Sequence, residues 1–119
     1  MSIPYIPQPE VPYSALIGQV IKQARVEQGG QQLDMANLLG LSQSAYSRLE
    51  NGDSMFSVWQ MRECAKLLKM TPSEVLRRVE VLEEQLSKQN VPVVEAKKAN
   101  PAGALVGIAL LLALLSSMR

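Results

Sequence analysis

The chain has 119 residues, a formal net charge of +1, one cysteine and no histidine. That length has room for one small domain with extensions, and the near-zero charge excludes a strong nonspecific binder of polyanions. One cysteine and no histidine exclude an intrachain disulfide, a Cys/His zinc site and a Ser-His or Cys-His catalytic pair.

The first residues, MSIPYIPQPEVPYS, lack the basic and apolar regions of a secretory signal. Pro4, Pro7, Pro9 and Pro12 fix φ and remove donors, so residues 1–13 read as a Pro-rich extended arm. The arm has no Arg or Lys, so it lacks the means to enter a minor groove.

Residues 14–89 read as a helical domain. The first helix starts near Ser14, taken as its N-cap, repeats Ile17, Val20, Ile21 and Ala24 on one face, and stops at Gly29-Gly30. The second runs from about Gln31 to Leu39, with Leu33, Ala36 and either Leu39 or Met35 inward, and Gly40 ends it. Ser42 caps the third, which buries Ala45, Tyr46 and Leu49 and ends at Asn51-Gly52. The fourth runs from Ser57 to about Lys69, with Val58, Met61, Ala65 and Leu68 inward. Thr71-Pro72-Ser73-Glu74 reads as a capping box with proline at the first helical position. The fifth helix then extends to about Lys88. Its Val75, Val79, Leu82 and Leu86 are spaced as a heptad seam, and beyond Val79 they overhang a small bundle. Val79, Leu82 and Leu86 are therefore expected to form a homodimer seam.

Residues 90–100 read as a linker bounded by prolines. Residues 101–118 carry no charge and are apolar all round, with Ser116 and Ser117 at the end. As a helix they would span about 27 Å, near the thickness of a bilayer core. Lys97 and Lys98 precede the segment, so residues 101–119 are expected to be a transmembrane tail, in contact with lipid through 101–118. The helical domain of residues 14–89 is then expected on the cytoplasmic side, anchored in the inner membrane. Gly103 and Gly107 have the G-x-x-x-G spacing that lets two such helices approach.

The pattern QQLDMANLLGLSQSAYSRLENG places a small Ala36, a turn at Gly40 and a packed Leu49 where two helices cross steeply. With its flanking helices, this pattern resembles the phage-repressor or Cro-like (XRE) helix-turn-helix family of bacteria and phages, over about Leu16 to Leu76. The resemblance implies an all-α, lambda-repressor-like five-helix bundle and a double-stranded DNA partner. It implies that Gln43, Ser44 and Arg48 read bases, while Gln32, Ser42, Ser47 and Asn51 meet the DNA backbone. It further implies a structural ion pair between Arg25 and Glu50. The chemistry agrees: glutamine offers a donor and an acceptor to adenine, and arginine offers a fork to guanine. Two positions depart from the family. Asp53-Ser54 stand where basic residues often grip phosphate, and Lys69 stands where glycine often ends the fourth helix.

The function expected is a sequence-specific, dimeric, membrane-tethered regulator of transcription. It needs no cofactor, metal or small-molecule substrate and is not an enzyme. Two other layouts share the pattern. One is a RodZ-like membrane scaffold whose helix-turn-helix domain binds protein. The other is a soluble antitoxin or phage-type repressor whose tail oligomerises.

Overall fold

The computed structural model describes residues 7–117. Six helices make up most of it: α1 (Tyr13–Glu27), α2 (Gln32–Leu39), α3 (Gln43–Asn51), α4 (Val58–Leu67), α5 (Pro72–Lys88) and α6 (Pro101–Ser117). The fold is an all-α, lambda-repressor-like bundle in which α2 and α3 are the helix-turn-helix. Two two-residue strands, β1 (Val11–Pro12) and β2 (Val93–Val94), pair in parallel with Val11 opposite Val93.

Several starts and stops follow local chemistry. Ser42 Oγ accepts the Ala45 N–H at 3.1 Å and opens α3. Ser57 Oγ accepts the Gln60 N–H at 3.0 Å and opens α4, with the Gln60 side chain reaching back to the Ser57 N–H. Gly40 and Gly52 end α2 and α3 in the left-handed region, at φ of 67° and 84°. Lys69 enters the same region at φ 58°, doing at the end of α4 what glycine does at lower cost. At the start of α5 the Thr71 oxygen accepts the Glu74 N–H at 3.2 Å. Glu74 takes the Thr71 hydroxyl, not its backbone N–H, so only half of the expected capping box forms.

Ser14 is not a cap. Helix α1 begins two residues earlier than a Ser14 cap would set it, with Pro12 at the cap position, and the buried Ser14 hydroxyl donates to the Gly52 carbonyl at 2.6 Å. It therefore ties the start of α1 to the end of α3. Leu33 and Val58 also differ from expectation. Both lie on outer faces, with 51% and 77% of their surface exposed. Met35 and Met61 are buried, and Leu39 is half-buried against the core.

The tail overturns a larger expectation. Among the described residues, no helix is long and apolar enough to cross a membrane. Helix α6 has 17 residues, about 25 Å of rise, against a hydrocarbon core of about 30 Å. The expected inner-membrane anchor and the lipid contact through 101–118 are therefore withdrawn. Helix α6 packs on its own domain instead. Gly103, Gly107 and Leu111 are buried, and the described part of the arm lies across the two glycines. A Cβ on Gly103 would meet the Gln8 carbonyl, and one on Gly107 the backbone of Glu10. The close approach allowed by G-x-x-x-G is thus made to the arm and not to a second tail. The Glu10 N–H donates to the Gly103 carbonyl at 3.0 Å, the Val11 N–H donates to the Pro92 carbonyl at 3.0 Å, and the Glu10 carboxylate accepts the Asn100 N–H. Residues 1–6 of the predicted arm lie outside the described residues.

The proposed dimer seam is consumed within one chain. Val79, Leu82 and Leu86 are 0%, 2% and 0% exposed and belong to one core with Val11, Val91 and Leu111. Residues 90–100 are accordingly no free linker, since Val91 is buried and β2 lies among them. The overhang on α5 was real as an apolar surplus. The chain covers it with α6, the arm and the segment that follows α5.

Candidate nucleic-acid interface

Helix α3 is anchored by one face. Tyr46 and Leu49 are buried, and the Tyr46 ring meets Phe56 edge-on at 6.2 Å between centroids. The opposite face carries Gln43, Ser44, Arg48 and Asn51, all exposed, with Ser47 half-buried beside them and Ser42 exposed at the cap. Their spacing sets them on neighbouring turns, so they form one continuous polar strip. A helix start leaves its first N–H groups without helical partners, so the strip also has backbone donors beside Gln43.

Below this strip, three helices converge on the Glu50 carboxylate. Arg25 of α1 donates from Nε at 2.7 Å to one oxygen and from Nη2 at 2.8 Å to the other. Gln32 of α2 donates from Nε2 at 3.0 Å. Arg25 Nη1 also reaches the Gly30 carbonyl at 3.0 Å, which fixes the turn before α2. Burial alone would raise the Glu50 pKa, but the hydrogen bonds from Arg25 and Gln32 outweigh it and hold it below the ordinary carboxylate value. The same bond to Glu50 raises Arg25. Tyr46 Oη is buried near the carboxylate without meeting hydrogen-bond geometry, and burial first, then Glu50, push its phenol far above the usual range.

This arrangement has an electrostatic consequence. A buried Glu50 beneath a DNA-facing helix would repel phosphate, but Arg25 cancels its charge at bidentate distance. The strip is left with Arg48 as its cation, and Asp53 lies exposed just past the helix end. Gln32, expected at the DNA backbone, is half-buried and spends one amide N–H on Glu50.

Some residues here were not singled out from the sequence. Gln19 Nε2 approaches the Glu50 carbonyl at 3.4 Å, adding a second tie from α1 to the end of α3. Trp59, the single tryptophan, is 63% exposed on the first turn of α4, with the Arg62 guanidinium 5.2 Å from its ring centroid. Cys64 is a buried free thiol, and burial pushes its pKa up to about 12.

The two crossing helices, the tight turn at Gly40 and the exposed polar strip define a helix-turn-helix domain. Residues 21–75 match the helix-turn-helix family. Among solved structures, the chain is similar to the clp gene regulator ClgR from Corynebacterium glutamicum, at 20% identity and a TM-score of 0.63, over 69% of this chain and 87% of that one. At that identity the likeness is one of fold. No curated protein matches the chain.

Proposed function

We propose that this protein is a DNA-binding regulator of transcription that reads sequence with α3 and works as a pair of chains. The helix-turn-helix match and the fold shared with a gene regulator support the DNA-binding part. The observation that carries it is the polar strip of Gln43, Ser44 and Arg48 on a capped helix, set on a rigid Arg25–Glu50–Gln32 base. In this reading Arg48 presents its fork to guanine, and Gln43 pairs with adenine or its neighbour while Ser44 adapts to either. Ser42, Ser47 and Asn51, and the second N–H of Gln32, meet phosphates and fix register. With one cation on the strip and Asp53 beyond it, a single domain grips phosphate weakly. Two domains on two half-sites offset this, because the second contact becomes intramolecular.

The scaffold alternative rested on a membrane helix, and none is present among the described residues. The test is selection of bound duplexes from a random pool by the purified full chain. The expected result is one enriched motif with two related half-sites about 10 base pairs apart, or a multiple of that. A bound fraction as random as the input would sink the proposal.

A further inference from the structure

The charge of Lys98 is not needed to orient a membrane segment, because α6 is too short to be one. Lys98 lies in a single 3₁₀ turn, Ala96–Lys98, between β2 and α6. The turn is held from both sides. Before it, Val91 is buried and β2 pairs with β1. After it, the Asn100 N–H meets the Glu10 carboxylate, and the Asn100 side chain accepts the Ala102 N–H at 3.0 Å at the start of α6. Within it, the Lys98 N–H donates to the Glu95 carbonyl at 2.9 Å, and the Ala99 N–H donates to the Ala96 carbonyl at 3.3 Å. Lys98 is thus presented by fixed backbone, which lowers the ordering cost of any contact it makes.

That turn stands beside the end of the recognition helix. A cleft of about 400 Å³ is lined by Asn51, Gly52 and Asp53, where α3 ends, and by Ala96, Ala99 and Pro101. The two parts are tied together through α1. Ser14 donates to the Gly52 carbonyl, and β1, the partner of β2, leads straight into α1. The Lys98 side chain keeps 79% of its surface exposed. Its Nζ lies 3.8 Å from the carboxylate of Glu95, itself 60% exposed, a surface pair that is given up at little cost. The other acids at this corner are Asp53, which is exposed, and Glu10, whose carboxylate is spent on Asn100. Helix α6 starts at Pro101, in the wall of the cleft, so the positive end of its dipole adds to the lysine charge.

We propose that Lys98 is a DNA-backbone contact: it meets a phosphate beyond the end of α3 and supplies, from the C-terminal extension, the positive charge that Asp53-Ser54 lack. The inference rests on the DNA-binding reading and adds to it a contact outside the matched residues 21–75. The strip of α3 carries one cation, Arg48, and the residue after Gly52 is an acid. A duplex whose backbone meets Asn51 continues past the cleft, and without Lys98 it would face Asp53 there uncompensated. Lysine suits this task as a compact point charge on a long flexible stem, whereas the fork of arginine suits a base edge. A phosphate contact reads no sequence, so Lys98 should act alike on every duplex.

The salt dependence of binding by the purified full chain tests this. Wild type, Lys98→Gln, Lys98→Arg and Lys22→Ala are compared on the selected duplex and on one of random sequence. Lys22 lies at the other end of α6, beside Leu112 and Leu115. One lost phosphate contact lowers the slope of log affinity against log salt by about 0.9. Lys98→Gln should show that drop on both duplexes, so its deficit should grow roughly 3.5-fold on a four-fold dilution of salt. Its preference for the selected duplex should stay that of wild type. Lys98→Arg and Lys22→Ala should keep the wild-type slope, and a drop in either overturns the proposal. An unchanged slope for Lys98→Gln also overturns it, as does a drop confined to one duplex. Should Lys98→Gln melt below wild type, Glu95→Gln replaces it. That variant keeps the lysine and removes its competitor, so it should strengthen binding to both duplexes, and unchanged binding overturns the proposal. If Lys98→Gln follows wild type at every salt concentration while Arg48→Ala loses discrimination, the backbone contact is refuted and the DNA reading stands. A wild type that selects no motif ends the sequence-reading proposal, and the slope on the random duplex still decides Lys98. A wild type that binds no duplex ends both.

Discussion

Glu50 has no exposed surface, yet it is ionised and holds α1, α2 and α3 at one point. Its folded pKa is depressed below the ordinary 4.5, so its stabilisation is present above that pH and is lost as pH falls through the lower folded value. Glu50→Gln keeps the shape but leaves the Arg25 charge buried and unpaired, which costs on the order of 3 kcal/mol near neutrality. The gap between variant and wild type should narrow below pH 4.5, as the native carboxyl itself protonates. Chemical denaturation at several pH values checks this, and a gap constant with pH would contradict it. The pair was legible through the resemblance of the LENG segment, because residues 25 apart in sequence give no local signal. Ser14 was legible only in part. A small polar residue at a helix start reads as a cap, and its real partner, the Gly52 carbonyl, is brought in by the packing of α1 on α3.

At the scale of elements, starts and stops were well signalled, because caps and glycines act within a few residues. Lys69 marks where that signal failed to match its geometry. The backbone turns left-handed at a residue with a Cβ, so Lys69→Gly should raise stability by about 1 kcal/mol, read as a higher Tm. Gly107→Ala should act in the opposite sense to its helix propensity. In a free helix it would gain about 1 kcal/mol. Here the added Cβ runs into the Glu10 backbone, so α6 and the arm must part, and a loss of about 1–3 kcal/mol is expected. A higher Tm for Gly107→Ala would show that the arm does not lie there. The spacing of Gly103 and Gly107 announced a close contact, but spacing does not name the partner. Uniform apolarity misled in the same way. It reported that α6 needs apolar cover, and did not say that its own domain covers only the face of Gly103, Gly107 and Leu111.

For the whole molecule, what escaped the sequence was long-range. Val11 pairs with Val93, and no local pattern announces a strand of two residues. The sequence division into bundle, linker and tail followed composition, whereas the core runs through all three by way of Val79, Val91 and Leu111. Removal of residues 101–119 should therefore cost stability as well as length. Losing Leu111 and uncovering its neighbours amounts to at least the 2–5 kcal/mol of a large core truncation, a fall in Tm on the order of 10 °C. A truncated chain that melts like the full one would show that α6 is not part of the core.

The central claim is that the outer strip of α3 reads DNA sequence, and Arg48 tests it most directly. Arg48 is exposed and its side chain makes no ion pair among the described residues, so Arg48→Ala should leave the melting curve unchanged. The measurement is the affinity of wild type and Arg48→Ala for the selected duplex and for a shuffled duplex of equal length and composition, at one salt concentration. The wild type should prefer the selected duplex. Arg48→Ala should lose about 1–3 kcal/mol of that preference, roughly 5- to 150-fold, while its weak affinity for the shuffled duplex changes far less. Equal discrimination by the folded variant and the wild type would contradict the account.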